Sequence, residues 1–337
     1  MNSKIKNSFM DLAIEKAWQY QFLTYPNPAV GATVVKDEEV LSVEAHKKAG
    51  LPHAEVEALK VAYLKEYPTS KLKDISSSLE IHNFLAQNHN GFFNSCEIYV
   101  TLEPCNHMGK TPACAMLLET IGIKKVYIGT LDPNKKASGG KERLEKANID
   151  VEINICKEKA DELLYPFRLW QQKRFIFFKL AMREDGSVTG GYITTQDSLD
   201  MVHNIRTNLD LMVIGGETIR VDRPTLDSRF AIQNKPANIM IYSKQDNFDT
   251  SIPLFNVKNR EVRISDRFEF TDEERFIMVE GGYTLLDNIK DKLDYMMIFI
   301  SHKVKYKNQI DIESLGFKKV YSYYINKDDE IIFLRKI

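Results

Sequence analysis

His53-Ala54-Glu55 and Pro104-Cys105, with Cys114 further on, together predict one catalytic zinc site. One neutral imidazole and two thiolates supply three ligands, and catalytic zinc usually keeps three protein ligands and a fourth position for water. Glu55 follows His53 by two residues, so it can move protons at that water without being a ligand itself. We expect both stretches to lie at helix N-termini, where backbone N–H groups and the helix dipole favour thiolates.

The order of these residues is as informative as their identity. A His-x-Glu triplet followed by Pro-Cys and a second Cys is the signature of zinc deaminases, in which a metal-activated water attacks a ring carbon that carries an amino group. A second interpretation treats Cys105 and Cys114 as ordinary buried thiols and His53 as a surface histidine. Glu55 and Pro104, each at its expected place, favour the zinc site.

Composition and charge narrow the class of protein. At 337 residues, of which 43% are hydrophobic, the chain suits two domains with sizeable cores. A formal charge of −1 gives no basic field for a nucleic-acid backbone, so we expect no nucleic-acid partner. Four cysteines are too few for a disulfide scaffold, and reduced thiols predict a cytoplasmic protein. No apolar run approaches the length of a membrane span, and residues 1–21 predict a core-facing helix rather than a signal peptide.

The first half, residues 1–157, alternates helical and strand-like patterns and predicts an α/β sandwich with its site at strand–helix junctions. Residues 65–95 interrupt the pattern with polar sequence, which we interpret as a surface insertion with a short helix at 75–86. Cys96 and Cys156 lie in strand-like runs, where free cysteines are commonly buried. The other predicted elements are helices at 54–64 and from Pro112 in the first turn, and strands at 29–35, 40–45, 96–102, 124–131 and 151–156.

The pattern restarts after a charged helical segment at 158–174, which we interpret as a linker helix between domains. Residues 175–337 then alternate strands with helices and finish rich in strands, which predicts a largely parallel sheet with an antiparallel edge. The predicted elements are strands at 175–182, 209–214, 238–242, 276–279, 295–301, 320–325 and 330–334, and helices at 197–207 and 284–292.

The run from Thr101 to Cys114 closely resembles the TLEPC-x-H-x-G-(K/R)-TP-x-C motif of the bifunctional riboflavin-biosynthesis deaminase-reductases. The eight residues between the two Cys ligands set the chain apart from nucleic-acid deaminases, which have two. The match extends over nearly the whole chain except 65–95. It also includes Asn27-Pro28, Val30-Gly31, His46, His53-Ala54-Glu55 and Asp132-Pro133-Asn134.

For the first half, the resemblance implies a cytidine-deaminase-like α/β/α sandwich that holds one Zn²⁺ through His53, Cys105 and Cys114. Glu55 would be the catalytic proton shuttle. The implied substrate is a small phosphorylated pyrimidine, 2,5-diamino-6-(5-phosphoribosylamino)pyrimidin-4-one. The residues implied to contact it are Asn27, His46, Lys110, Thr111 and Asn134.

For the second half, the resemblance implies a dihydrofolate-reductase-like α/β domain that uses NADPH to reduce the ribosyl chain to a ribityl chain. The residues implied to contact the cofactor are Ala181, Tyr192, Thr218, Asp222, Ser243, Gly282, Tyr283 and Thr284. The residues implied to contact the reductase substrate are Lys179, Gly190, Arg206, Leu226, Arg229 and Glu280. Enzymes of this kind often form homo-oligomers, which is an expectation from the resemblance alone.

Four departures from the family pattern keep other functions open. Arg183 and Gly190 replace serines, Tyr192 replaces a tryptophan, and Arg223 follows Asp222 where the family has Asp or Asn. These changes favour, as an alternative, a monofunctional deaminase with an inactive or oligomerising second domain. A non-catalytic zinc module is opposed by Glu55, since a structural zinc prefers four protein ligands. A tRNA-editing deaminase is opposed by the near-neutral charge and the long Cys–Cys gap.

Overall fold

The computed structural model describes residues 2–107, 112–134, 138–189, 191, 193–231, 235–303 and 315–337. The chain divides into two units, Met1–Arg168 and Leu169–Ile337. The division falls within the helix Lys157–Gln172, which covers most of the segment interpreted as the linker. Among the described residues, no helix combines the length and the apolar character needed to cross a membrane.

The first unit is built on a five-stranded sheet with helices packed on it. Its elements are α1 (Ser3–Trp18), β1 (Gly31–Lys36), β2 (Glu39–Ala45), α2 (Ala54–Glu66), α3 (Ser78–Asn88), β3 (Cys96–Leu102), α4 (Cys114–Thr120), β4 (Lys125–Thr130), α5 (Gly140–Lys146), β5 (Asp150–Ile153) and α6 (Lys157–Gln172). The strand order is β2-β1-β3-β4-β5, in which β2, β1 and β3 are antiparallel and β3, β4 and β5 are parallel. The predicted α/β sandwich is confirmed.

Glycine fixes how closely the first helix approaches this sheet. A Cβ on Gly31 would lie 1.9 Å from the carbonyl oxygen of Ala13, so any larger residue would push α1 off β1. The apolar face of α1, which includes Met10 and Trp18, is buried there as its spacing predicts. The close contact sets the position of the turn that carries Asn27 at the start of β1.

The segment 65–95 differs from the expected surface insertion, because it contributes to the hydrophobic core. Leu72, Ile81, Leu85 and Phe93 are fully buried in the cluster that also contains Cys114. The segment forms α3 and two short 3-10 turns, Lys71–Asp74 and Phe92–Ser95. Its polar composition hid these apolar positions, which lie far apart in sequence and converge only in the fold.

Two local predictions in the first unit are wrong. The strand predicted at 151–156 ends at Ile153, and Cys156 lies half-buried in a left-handed backbone conformation (φ 51°) ahead of α6. The helix predicted from Pro112 begins instead at Cys114, with Ala113 as its N-cap. Cys114 is therefore the first residue of α4, two residues closer to its N-terminus than the pattern suggested.

The second unit contains an eight-stranded sheet. Its elements are β6 (Phe175–Arg183), α7 (Gln196–Arg206), β7 (Leu211–Gly215), α8 (Gly216–Asp222), β8 (Asn238–Tyr242), β9 (Val262–Ser265), β10 (Phe276–Glu280), α9 (Tyr283–Ile289), β11 (Tyr295–Ser301), β12 (Phe317–Tyr324) and β13 (Asp329–Lys336). The strand order is β12-β13-β11-β6-β10-β7-β8-β9, with β12 and β13 antiparallel and the others parallel. The predicted parallel sheet with an antiparallel edge is confirmed, and β9 and α8 are elements that the sequence pattern did not predict.

The parallel strands determine where a site can form in this unit. β6 begins with four consecutive buried phenylalanine and isoleucine residues, the continuous apolar run that is typical of a strand covered on both faces. The carboxyl ends of β6, β10, β7 and β8 meet at one edge of the sheet, which is where open α/β sheets bind their ligands. Lys179, Glu280, Gly215 and Ser243 lie in or directly after these strand ends.

Candidate active sites

The first unit brings the three predicted zinc ligands together. His53 is the N-cap of α2 and Cys114 is the first residue of α4, so both stretches lie at helix N-termini as predicted. The Nδ1 atom of His53 is 3.6 Å from the Sγ of Cys105 and 3.4 Å from that of Cys114, and all three atoms lie within 4.8 Å of one another. Around a tetrahedral zinc ion, an imidazole nitrogen and a thiolate sulfur stand ~3.6 Å apart. The residues present therefore fit zinc in both chemistry and spacing.

The two thiols are electrostatically unequal. The backbone N–H of Cys114 donates to the Sγ of Cys105 at 3.4 Å. Hydrogen bonding from Cys114, reinforced by the His53 imidazole, lowers the pKa of Cys105 well below its ordinary range. Cys114, which shares its proton with Cys105 and is buried, has a raised pKa. Cys105 is thus held ready as a thiolate, the form that binds metal.

Glu55 lies beside this centre in a nearly closed environment. It is the second residue of α2 and only 4% exposed. Burial, with the charge of Cys105 added, raises the pKa of Glu55 to about 7. A carboxyl group with a pKa near neutral can both take and give a proton, which is the property that a general acid–base catalyst needs.

A chain of hydrogen bonds runs from Asn27 through His46 to Pro52, the residue before the His53 ligand. The Nδ1 of His46 is 2.9 Å from the carbonyl oxygen of Pro52, which can only accept, so Nδ1 carries the proton. The Nε2 atom must then accept from the Asn27 side-chain amide at 3.0 Å, and burial lowers the pKa of His46 to about 4, which keeps the ring neutral. With this tautomer the side-chain nitrogen of Asn27 binds His46, and the side-chain oxygen of Asn27 can accept a hydrogen bond from a ligand. The His46 ring lies edge-on to His53, with centroids 5.3 Å apart.

Glu103 is a buried residue that sequence reasoning missed. One of its carboxylate oxygens accepts from the backbone N–H groups of Gly139 (2.9 Å) and Lys141 (3.1 Å), and the other accepts from that of Asp132 (3.1 Å). Glu103 thereby ties the segment around Asn134 to the end of β3. The sequence could not reveal this role, because the three groups that donate to Glu103 are backbone N–H groups, which every residue except proline has.

The remaining residues predicted to contact the deaminase substrate are only partly placed. Lys110 and Thr111 lie outside the described residues. The backbone N–H of Asn134 donates to the Asp132 carboxylate at 2.8 Å, which closes a turn at the mouth of the loop. Gly140 begins α5 so close to Pro104 that a Cβ there would lie 1.8 Å from the Pro104 carbonyl oxygen. This close approach holds the start of α5 against Pro104, the residue before Cys105.

In the second unit, three residues predicted to bind the reductase substrate form one ion network. Glu280 and Lys179 are direct neighbours on β10 and β6, with Lys179 Nζ 2.9 Å from one Glu280 oxygen. Arg206, the last residue of α7, donates to the other oxygen at 3.0 Å. Burial alone would raise the pKa of Glu280, but the charges of Lys179 and Arg206 lower it to about 2. The Glu280 carboxylate is therefore ionised throughout the neutral range.

A loop that carries two further predicted contacts is anchored to this network. Arg206 also donates to the carbonyl oxygen of Asp227 at 3.2 Å. Leu226 lies in this loop in a left-handed conformation (φ 53°), a strained position for leucine. Arg260, which sequence reasoning missed, donates to the carbonyl oxygens of Thr225 and Leu226, both at 2.8 Å. Arg229 is exposed and pairs with Asp227 at 3.5 Å.

The predicted cofactor residues gather at the neighbouring strand ends, with exceptions. A Cβ on Gly215 would lie 3.8 Å from the Oγ1 of Thr218, and one on Gly216 would lie 2.6 Å from the Oγ of Ser243. Tyr283 donates through its hydroxyl to the carbonyl oxygen of Gly186 at 3.0 Å, which joins α9 to the turn after β6. Gly282 is the N-cap of α9 and Thr284 follows in its first turn.

The other predicted contacts of this unit are less informative. Ala181 lies on β6 on the same face as Lys179, whereas Asp222 ends α8 as an exposed residue. Gly190 and Tyr192 lie outside the described residues. The Oγ of Ser243 accepts from the backbone N–H of Gln245 at 3.1 Å, which leaves its proton to donate. This hydroxyl, with that of Thr218 near the end of β7 and the N-terminus of α9 at Gly282, offers donors that fit an extended phosphorylated ligand such as NADPH.

Comparison with known families agrees with the geometry of the first unit. Residues 3–130 match the family model of the cytidine and deoxycytidylate deaminase zinc-binding region. These residues include the His53 and Cys105 ligands, Cys114 and the Glu55 carboxylate.

Comparison with whole proteins extends the match to the second unit. The chain is 29% identical, over 364 aligned positions, to the riboflavin biosynthesis protein RibD of Aquifex aeolicus, covering 95% of this chain and 93% of that protein. It is 32% identical over 244 positions to RibD of Actinobacillus pleuropneumoniae, covering 70% of this chain and 58% of that protein. A crystal structure from Thermotoga maritima, a diaminohydroxyphosphoribosylaminopyrimidine deaminase/5-amino-6-(5-phosphoribosylamino)uracil reductase, matches with a TM-score of 0.64 at 24% identity over 99% of both chains. This last likeness shows that the fold is shared.

Proposed function

The chain belongs to the RibD family of riboflavin biosynthesis proteins, and we propose that it is a bifunctional enzyme that deaminates a phosphorylated pyrimidine and then reduces the product. The first reaction is the hydrolytic deamination of 2,5-diamino-6-(5-phosphoribosylamino)pyrimidin-4-one. The second is the NADPH-dependent reduction of its ribosyl group to a ribityl group. The observation that carries the proposal is the convergence of His53, Cys105 and Cys114 beside the buried Glu55.

Zinc bound by these three side chains would lower the pKa of its water toward neutrality. Glu55 does the proton work in two transfers. It takes one proton from the attacking water and delivers it to the ring nitrogen, and it then takes the second from the hydroxyl group added to the ring carbon and delivers it to the departing amine. Its pKa of about 7 suits both directions of transfer. His53 and Cys114 would hold the metal from two helix starts and Cys105 from the loop after β3, so the centre is formed before the substrate arrives.

Asn27 reads the edge of the pyrimidine. Because His46 fixes the Asn27 amide N–H, the free side-chain oxygen of Asn27 can only accept a hydrogen bond, and it therefore selects an N–H edge of the base. His46 acts through Asn27 rather than on the base directly, since both of its ring nitrogens are already engaged. Lys110 and Thr111 are proposed to bind the ribose phosphate, and Asn134 to contact the substrate from its turn.

In the second unit, bound NADPH would supply the hydride that reduces the ring-opened sugar. Lys179, Arg206 and Glu280 position that sugar and its phosphate, with Arg206 and Lys179 contributing positive charge and Glu280 holding both in place. Leu226, Arg229 and Gly190 complete the proposed substrate contacts. The assembled network argues against an inactive second domain, because a merely structural sheet has no need of three charges at its ligand-binding edge.

The partners of this enzyme are proposed to be small molecules alone. We propose a cytoplasmic enzyme that binds neither nucleic acid nor membrane and that assembles as a homo-oligomer. The formal charge of −1 and the long loop between the Cys ligands support the first part of this proposal.

The proposal is tested by a coupled assay on the full chain. The phosphoribosylamino-pyrimidine is supplied with NADPH, and ammonia release and NADPH oxidation are followed separately. We expect one NADPH oxidised for each ammonia released. Ammonia release without NADPH oxidation would support the deaminase alone. The absence of both ammonia release and NADPH oxidation would reject the proposal.

A further inference from the structure

Arg260 is a partly buried cation that the proposed chemistry does not use. It lies two residues before β9 and binds the loop after α8, residues 223–229. Its Nη1 atom donates to the carbonyl oxygen of Leu226 and its Nη2 atom to that of Thr225, both at 2.8 Å. Burial lowers the pKa of the Arg260 guanidinium to about 10, so the group keeps its charge at neutral pH. One charged side chain therefore holds two successive carbonyl groups of this loop.

These two carbonyl groups belong to the peptide units on either side of the Leu226 Cα atom. In an extended strand successive carbonyl groups point to opposite sides, whereas in a helical turn of either hand they point the same way. A guanidinium is planar and presents its N–H groups in a fixed fork, so it can bind both groups only when the backbone at Leu226 is turned. Leu226 is turned to the left-handed side (φ 53°), which is unfavourable for leucine because its Cβ approaches the following carbonyl oxygen. Arg260 thus holds a conformation that leucine by itself disfavours.

Other contacts fix the same loop before and after Leu226. The Nη1 atom of Arg206 donates to the carbonyl oxygen of Asp227 at 3.2 Å, which ties the next residue to the ion network of this unit. The backbone N–H of Leu254 donates to the carbonyl oxygen of Pro224 at 3.1 Å. The carbonyl groups of four consecutive residues, 224–227, are therefore all bound by donors from outside the loop.

We propose that Arg260 is a positioning residue of the reductase site, which holds Leu226 in its left-handed conformation so that the loop presents its substrate contacts to the phosphorylated sugar. This inference rests on the proposed reductase function. Strained backbone persists where surrounding contacts fix it, and such positions are concentrated at ligand-binding sites. Arg260 acts through the backbone of the loop and not on the substrate.

Reduction of the deaminated intermediate by the full chain tests the inference. We expect Arg260→Gln to raise the KM for the intermediate by about 10-fold, the equivalent of one hydrogen bond from a charged group, since the loop would relax out of its binding conformation. The kcat, the KM for NADPH and the rate of ammonia release should stay unchanged. Arg260→Lys should raise the KM as well, because an ammonium group keeps the charge but has no fork to bind both carbonyls. The lysine variant carries the same test if the glutamine variant does not fold.

A second substitution shows whether Arg260 acts through Leu226. Glycine adopts the left-handed conformation without strain, so the loop would need less support. In the Leu226→Gly background, Arg260→Gln should therefore raise the KM for the intermediate by about twofold or less. Each ratio is taken within one background, so the loss of the leucine side chain cancels.

Arg263→Gln is the matched control, because it removes a guanidinium of β9 that pairs with Glu274 instead of with loop carbonyls. It should leave the KM for the intermediate unchanged even where it lowers the melting temperature. A wild-type KM in either Arg260 variant, an equal rise in Arg263→Gln, or an undiminished rise in the Leu226→Gly background would each overturn the inference while leaving the reductase function intact. Failure of the wild-type chain to oxidise NADPH with the intermediate would remove the reductase function, and the inference with it.

Discussion

The first unit builds its candidate site from three ligating atoms, two at helix starts and one in a loop, whereas the second builds its site from three charged side chains, two on neighbouring strands and one at the end of a helix. The ligating atoms of His53, Cys105 and Cys114 lie within 4.8 Å of one another, and a bound metal ion would balance the negative charge of the thiolates. Lys179 and Arg206 both pair with Glu280, which leaves this network with one positive charge in excess. The first site should therefore depend strongly on its metal, and the second on its internal ion pairs.

Removal of zinc gives the largest expected difference between the two units. A chelator should abolish ammonia release completely, because no other described cluster of His, Cys, Asp or Glu can hold the ion. Reduction of the deaminated intermediate by NADPH should continue at its original rate. The measurement is the two rates before and after chelation, with zinc added back as the control. Loss of both activities on chelation would contradict the separation.

Glu280→Gln tests the ion network of the second unit. The change leaves Lys179 and Arg206 without their common partner and should lower the free energy of unfolding of this unit by about 2–3 kcal/mol. NADPH oxidation should fall with it, while ammonia release stays unchanged. Thermal or urea unfolding measures the first effect. Asp287→Asn is the matched control, since Asp287 pairs with Lys290 on the surface and should cost less than ~0.5 kcal/mol.

The same network predicts a pH dependence. The folded-state pKa of Glu280 is about 2, below the ordinary value of 4.5, so its stabilisation is present above pH ~4.5 and is lost as the pH falls toward 2. The difference in unfolding free energy between wild type and Glu280→Gln should therefore shrink from pH 6 to pH 3. A constant difference across that range would contradict the assigned ionisation.

Much of the fold follows from the sequence because its signals are local. The apolar face of α1, the strand at Cys96–Leu102 and the two helix starts of the zinc centre depend on residue spacing and capping, which act over a few positions. Leu72 and the pair Phe92-Phe93 were not predicted to be buried, because they lie in otherwise polar sequence and join the core only in the folded structure. The roles of Glu103 and Arg260 were not predicted, because both bind backbone groups, which residue identity does not reveal. The orientation of the Asn27 side chain was not predicted either, because it depends on the tautomer of His46.

His46→Phe should give the smallest effect. Phenylalanine keeps the ring volume but removes the bond that orients the Asn27 amide, so the KM of the deaminase should rise by about fivefold, the equivalent of one neutral hydrogen bond. The kcat and the zinc content should change little, since His46 is not a ligand. Steady-state kinetics and metal analysis separate these quantities. A fall in zinc content would assign His46 to the metal centre instead.

The most direct test of the whole account is Glu55→Gln in the full chain, offered in turn the deaminase substrate and the already deaminated intermediate. Glutamine keeps the size of the side chain but cannot carry the proton, so ammonia release should fall by about 10²- to 10⁴-fold. Zinc should stay near one ion per chain, NADPH should still reduce the intermediate at the wild-type rate, and Glu57→Gln on the same helix should behave as wild type. Retained ammonia release in Glu55→Gln, or loss of both reactions together, would contradict two separate sites with Glu55 as the proton carrier of the first.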